Sequence, residues 1–181
     1  NTDVFLLTGT DEHGQKIQNS ALKRKISEKK HVDEYMLRFK EMWKKLNIEY
    51  DDFIRTTELR HTDKVKDMLK ILWNRNLIYE KEYQGLYSIS EERFITKKEH
   101  DSGNFKEIIE LKEKNYFFKM SNYQNKLIAH IESHDDFILP KSKKNEVLGF
   151  LKNPLEDLCI SRPKKRLNWG IELPFDSNYV T

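Results

Sequence analysis

The residues best equipped for chemistry in this 181-residue sequence sit close together near its start, in Thr8-Gly9-Thr10-Asp11-Glu12-His13-Gly14. Two carboxylates and an imidazole in succession are groups for ionic recognition or proton transfer. They also fit a solvated turn. Gly9 and Gly14 permit a tight bend or a close approach that a Cβ would block. The spacing satisfies neither the phosphate-loop pattern nor Gly-x-Gly-x-x-Gly. Arg162 carries a fixed guanidinium suited to a carboxylate or a phosphate. Lys141-Ser-Lys-Lys144 and Lys164-Lys165-Arg166 could meet phosphates or form solvated faces. Cys159, the single cysteine, rules out an internal disulfide and reads as a core residue.

The elements around these residues follow from apolar spacing. Val4 to Leu7 is an unbroken apolar run too short for a helix, which predicts a strand buried on both faces. The polar cluster then lies at the carboxyl end of that strand, where ligands bind in open α/β sheets. Residues 14–47 read as helix, weakening around 27–30. Val32, Tyr35, Met36, Phe39, Met42, Trp43 and Leu46 form one helical stripe, expected to be core. A second strand is expected over 50–57, then a helix capped by Thr62-Asp63 with Val65, Met68, Leu69, Leu72 and Trp73 facing inward. This β-α-β-α succession predicts a parallel sheet.

After Asn76 the composition turns to β-formers. Short strands are expected over 77–90, at Phe94-Ile95 and over 107–111, with a turn-like stretch at 97–104. A helix carrying Tyr123, Leu127, Ile128 and Ile131 follows, then Pro140, then a shorter helix over 145–151. The fold expected is α/β, part of a Rossmann-like parallel-sheet nucleotide-binding fold interrupted by a small α+β insertion domain. Its boundaries are expected at 1–78, 79–157 and 158–181. The net charge, +3 from 33 basic and 30 acidic residues, is too balanced to diagnose nucleic-acid binding. No apolar run approaches the ~20 residues of a membrane span. One cysteine and no signal-peptide pattern predict a reducing, cytoplasmic setting.

Three ordered phrases carry a resemblance. Thr8-Gly9-Thr10-Asp11-Glu12-His13-Gly14-Gln15-Lys16-Ile17 resembles the second signature block of methionyl-tRNA synthetases, a class I aminoacyl-tRNA synthetase family. Phe53-Ile54-Arg55-Thr56-Thr57 with His61, and Asn115 to Ser121 after Glu80, Tyr83, Gly85 and Tyr87, resemble its nucleotide-binding fold and connective-peptide insertion. Ile160-Ser161-Arg162, Trp169-Gly170 and Leu173-Pro174 resemble the return to the catalytic fold.

The resemblance implies a methionine–tRNA ligase with methionine, ATP (with Mg2+) and tRNA(Met) as partners. Asp11 would hold the methionine ammonium, His13 and Gly14 would shape the adjacent turn, and Arg162 would organise the substrate end of the pocket. Trp169 would plug the domain junction, and Lys141, Lys143 and Lys144 would approach the tRNA acceptor end. The family's His-Ile-Gly-His and Lys-Met-Ser-Lys-Ser signatures are absent, so the chain reads as a central fragment, itself inactive. The alternative is a non-catalytic RNA- or protein-binding module. Relatives often carry a zinc knuckle in the insertion, where this chain has Ser88, Glu91, Glu99 and Ser102. Serine is a poor zinc ligand and His100 stands alone, so no structural zinc is expected. Packing of Tyr87, Ile89, Phe94 and Phe105 would then hold the module together.

Overall fold

A computed structural model describes residues 3–91, 93–105 and 107–181, apart from the side chains of Tyr83, Arg93, Phe94 and Lys98. Strands β1 (Leu7–Thr10) and β2 (Asp52–Arg55) pair in parallel, Leu7 opposite Asp52 and Thr10 opposite Arg55. Parallel strands need a crossover, supplied here by helices α1 (Gln15–Lys23) and α2 (Glu28–Lys45). Ser27 divides the two helices: its side chain accepts from the Lys30 amide at 3.2 Å, satisfying one orphan donor of the α2 N-terminus. Gly9 is required by the strand pairing, because a Cβ there would lie 1.8 Å from the Ile54 carbonyl oxygen.

Two expectations about burial fail in this region. The strand begins only at Leu7, and Val4 and Phe5 are 79% and 71% exposed. Among the described residues β1 pairs with β2 alone, so one edge of the strand is open and the run before it is exposed. The α2 stripe also divides. Val32 is buried and Trp43 packs on Phe53 and Tyr50, with ring centroids 5.3 and 5.7 Å away. Tyr35, Phe39, Met42 and Leu46 are exposed.

Helix α3 (Leu59–Asn74) starts before the expected Thr62-Asp63 cap. The chain turns directly out of β2, Glu58 N–H donating to the Arg55 carbonyl at 3.0 Å. Thr62 therefore already donates a helical bond, to the Glu58 carbonyl at 2.9 Å. Leu69 is buried as expected while Met68 is exposed. Leu69 joins Ile78, Tyr116 and Leu173 in a core cluster, and Trp73 stacks flat on Phe175 with centroids 4.2 Å apart.

The antiparallel part is more regular than its sequence suggests. Strands β3 (Ile78–Ser88) and β5 (Ile108–Phe118) pair over eleven residues each, from Ile78 opposite Phe118 to Ser88 opposite Ile108. The second was expected to end at 111. Cross-strand ion pairs, Lys112–Glu82 at 3.1 Å and Lys114–Glu80 at 3.6 Å, accompany its continuation through polar residues. Strand β4 (Arg93–Ile95) lies on one edge, and helix α4 (Lys97–Asp101) replaces the expected turn. Thr96 and Glu99 form a reciprocal capping box that starts α4. Tyr87 and Ile95 are buried at this end, while Ile89 and Phe105 are half-buried. The expected packing of Phe94 falls on a side chain outside the described residues.

Helices α5 (Gln124–Ser133) and α6 (Lys141–Phe150) follow on either side of Pro140. Because α6 starts at Lys141 rather than near 145, the lysine cluster forms its first turn. Strand β6 (Leu158–Cys159) returns to the far edge of β5, and β7 (Arg162–Pro163), β8 (Glu172–Leu173) and β9 (Asp176–Val180) make a separate sheet in the order β7-β9-β8.

Candidate substrate-binding site

The parallel pair delivers both strand ends to one place, and the turn from Asp11 to Gly14 is built on them. Its anchor is Glu12, a residue not singled out by sequence reasoning, which is only 2% exposed. One carboxylate oxygen accepts from Arg55 Nε and from Thr10 Oγ1, each at 2.6 Å, and the other accepts from Thr57 Oγ1. Its amide donates to Thr56 Oγ1 at 2.9 Å, and its carbonyl accepts from the Trp169 indole. The next guanidinium nitrogen of Arg55 lies 2.7 Å from Asp33 on α2. A buried charge must be paired and hydrogen-bonded, and Glu12 meets that requirement from strands on both sides. A signal was present in the sequence: an acid just past one apolar strand and an arginine at the end of the next.

With Glu12 turned inward, its neighbours face the other way. Asp11 is exposed and His13 is half-buried, its ring 5.8 Å from that of Trp169. Burial holds the His13 imidazole below its ordinary range, Asp11 opposing that effect and His61 adding to it. Gly14 precedes α1 at φ 109°, a conformation that side chains rarely adopt, and its amide donates to the Trp169 carbonyl at 3.2 Å. An exposed carboxylate beside a neutral imidazole and an indole suits a cationic group attached to an apolar body.

Arg162 and Gly14 line a common cavity of about 360 Å³ that also contains Tyr87, Cys159 and Leu167. The Arg162 guanidinium donates to the Ser161 carbonyl at 2.6 Å and to Cys159 Sγ at 3.2 Å, and lies 5.4 Å from the Tyr87 ring. Cys159 is thus a half-buried wall residue of this cavity, not part of the core as expected. Lys141, Lys143 and Lys144 do not join this cavity. They sit on α6, where Lys143 pairs with Glu146 at 2.6 Å and Lys144 with Asp135 at 2.8 Å.

The whole chain matches the family described as tRNA synthetases class I (M), over residues 1–102 and 100–181. It is 45% identical over 183 residues to a methionine–tRNA ligase of Clostridium perfringens and 44% identical over 195 to one of Listeria monocytogenes, covering 98% of this chain each time. It spans only 28% and 29% of the length of those two relatives. Among solved structures, Mycobacterium tuberculosis methionyl-tRNA synthetase in complex with methionyl-adenylate matches with a TM-score of 0.89 and 34% identity, over 98% of this chain and 36% of that one. The apo form of the same enzyme matches at 0.71 and 32%, over 92% of this chain and 33% of that one. Sequence and architecture therefore agree from end to end: the chain belongs to the methionyl family of class I tRNA synthetases.

Proposed function

We propose that this chain is the central part of a methionine–tRNA ligase, which activates methionine with ATP to methionyl-adenylate and transfers the methionyl group to tRNA(Met). The observation that carries the reading is the end-to-end likeness to a synthetase whose structure holds methionyl-adenylate. In adenylation the amino acid carboxylate attacks the α-phosphate of ATP and pyrophosphate leaves. Such a step needs placement and stabilisation of phosphate charge rather than a protein nucleophile. Asp11 supplies the counter-charge for the methionine ammonium, the Glu12–Arg55 pair fixes the turn that presents it, and His13 and Gly14 shape its far side. Arg162, across the cavity from α1, organises the substrate end of the pocket.

ATP enters with Mg2+ as substrate, and the setting is cytoplasmic. Among the described residues no helix is long and apolar enough to cross a membrane. Residues 79–157 form the insertion domain, between catalytic segments 1–78 and 158–181. We infer a zinc-free insertion from the chemistry of its donors. The Ser88 hydroxyl accepts from the Glu91 amide at 3.2 Å, the Glu99 carboxylate accepts from the Thr96 amide at 2.8 Å, and Ser102 Oγ donates to the Glu99 carbonyl at 2.6 Å. Structural zinc sites are built from cysteine and histidine, serine hydroxyls are poor zinc ligands, and these groups already serve turns and caps. Lys141, Lys143 and Lys144 offer tRNA phosphates a basic helix turn.

The test is methionine-dependent ATP–pyrophosphate exchange by the full-length protein carrying this segment. Activity is expected, and Asp11→Ala should weaken methionine by about 1.5–3 kcal/mol, the worth of a charge-assisted contact, while leaving the KM for ATP unchanged. Equal loss of both substrates would reject the role of Asp11. No exchange by the intact protein would reject the ligase.

A further inference from the structure

The segment between Arg162 and Trp169 carries one more residue whose contacts exceed what a surface arginine needs. Arg166 makes a two-pronged pair with Glu113 on β5, Nε at 2.8 Å and Nη2 at 2.9 Å. Its guanidinium carbon lies 4.5 Å from the centroid of the Tyr87 ring on β3. The remaining terminal nitrogen donates to the Gln15 side chain at 3.3 Å, and the Arg166 carbonyl accepts from Gln18 Nε2 at 3.3 Å. Both glutamines belong to α1, whose first residue directly follows Gly14. One side chain therefore touches both long strands of the antiparallel ribbon and the helix that continues the substrate turn. Both members of the ion pair are largely shielded, their side chains 17% and 11% exposed. Such a pair is screened far less than a surface one.

The pair is also continuous with Arg162. Glu113 accepts from Asn115 Nδ2 at 2.8 Å, and Oδ1 of the same buried Asn115 side chain accepts from Ser161 Oγ at 3.3 Å. Ser161 in turn provides the carbonyl that holds the Arg162 guanidinium. Polar groups linked this way move together or leave a buried donor unsatisfied. Downstream, Asn168 N–H bonds the Gln18 side chain at 3.0 Å, and the Trp169 carbonyl receives the Gly14 amide.

From this geometry we infer that Arg166 is a positioning residue: paired with Glu113 and bonded to Gln15, it sets the substrate turn and Arg162 relative to the antiparallel ribbon. A planar fork that bonds in two directions and stacks on a ring is a task lysine does not fulfil. The inference deepens the ligase reading and rests on it.

The experiment uses the full-length protein carrying this segment, with Arg166→Gln, Glu113→Gln, the exchange pair Arg166→Glu with Glu113→Arg, and Arg166→Lys. ATP–pyrophosphate exchange is measured with methionine and ATP varied separately, alongside thermal melting. Arg166→Gln and Glu113→Gln should each raise the methionine KM about tenfold with little change for ATP, and their double variant should be no worse than either alone. Arg166→Lys should recover only part of the loss, and the exchange pair should recover more than either of its single members. Loss of melting temperature with the methionine KM unchanged, or strictly additive effects in the double variant, would overturn the inference and leave Arg166 a structural ion pair. A native protein without exchange activity would instead overturn the ligase reading.

Discussion

The Asp11 to Gly14 turn and the antiparallel ribbon solve the same problem by opposite means. At the turn, order comes from charge. Glu12 is held by Arg55 and two threonine hydroxyls, while apolar residues a few positions away, Val4 and Phe5, stand in solvent. In the ribbon, order comes from an eleven-residue ladder between β3 and β5, joined by a segment that carries β4 and α4, with apolar packing at both ends: Tyr87 and Ile95 at one, Tyr116 and Phe117 at the other. The difference teaches that a polar network can fix the geometry of a site without supplying the stability of its surroundings. The ribbon distributes its contacts, whereas the turn concentrates them in one carboxylate.

That contrast can be broken at its strongest point. Glu12→Ala leaves Arg55 largely buried beside Thr57 without its main counter-ion, which should lower stability by about 3–5 kcal/mol in equilibrium unfolding. A loss under ~1 kcal/mol would show that the carboxylate is dispensable and the comparison mistaken. A smaller effect is expected in the ribbon. Thr96→Ala removes the capping box of α4 and should cost about 1 kcal/mol. Hydrogen exchange should show that loss as reduced protection confined to 97–101, with β3 and β5 unaffected. Faster exchange along the whole ribbon would mean that its contacts are less distributed than they look.

The smallest effect is a pH dependence. The folded His13 titrates below its ordinary value of 6.5, burial being the main cause. As pH falls through 6.5 the unfolded chain takes up a proton that the folded turn resists, so folding stability falls with acidification below that point. His31, also depressed by burial and by Arg24, acts in the same sense. His13→Gln should therefore flatten the fall in melting temperature between pH 7 and 5.5 only in part. An unchanged slope would remove His13 from the set of buried bases.

The sequence is legible where neighbours along the chain decide the outcome. Ser27 divides the helices, Pro140 separates α5 from α6, and the Thr10 to Gly14 cluster lies where an apolar run ends. It is less legible where the deciding partner is distant. The importance of Glu12 depends on Arg55, 43 residues away, and that of Arg166 on Glu113, 53 residues away. Periodicity also overstates burial: the α2 stripe has the spacing of a core, yet Tyr35, Phe39, Met42 and Leu46 are exposed. The length of β5 escaped notice because Lys112 and Lys114 interrupt its apolar pattern, and acids on the facing strand match them.

The length of that ribbon has a mechanical consequence. Eleven paired residues at about 3.4 Å each extend roughly 35 Å, stiffened by the ladder along its whole course. A rod of that length, held at the base where Ile78 pairs with Phe118, magnifies rotation: about 5° there displaces the far end by roughly 3 Å, a hydrogen bond's length. The α4 end of the molecule can thus gain or lose a contact through a tilt too slight to disturb the packing at the base. The same lever run in reverse lets a load at the tip exert torque where Tyr116 and Trp73 meet.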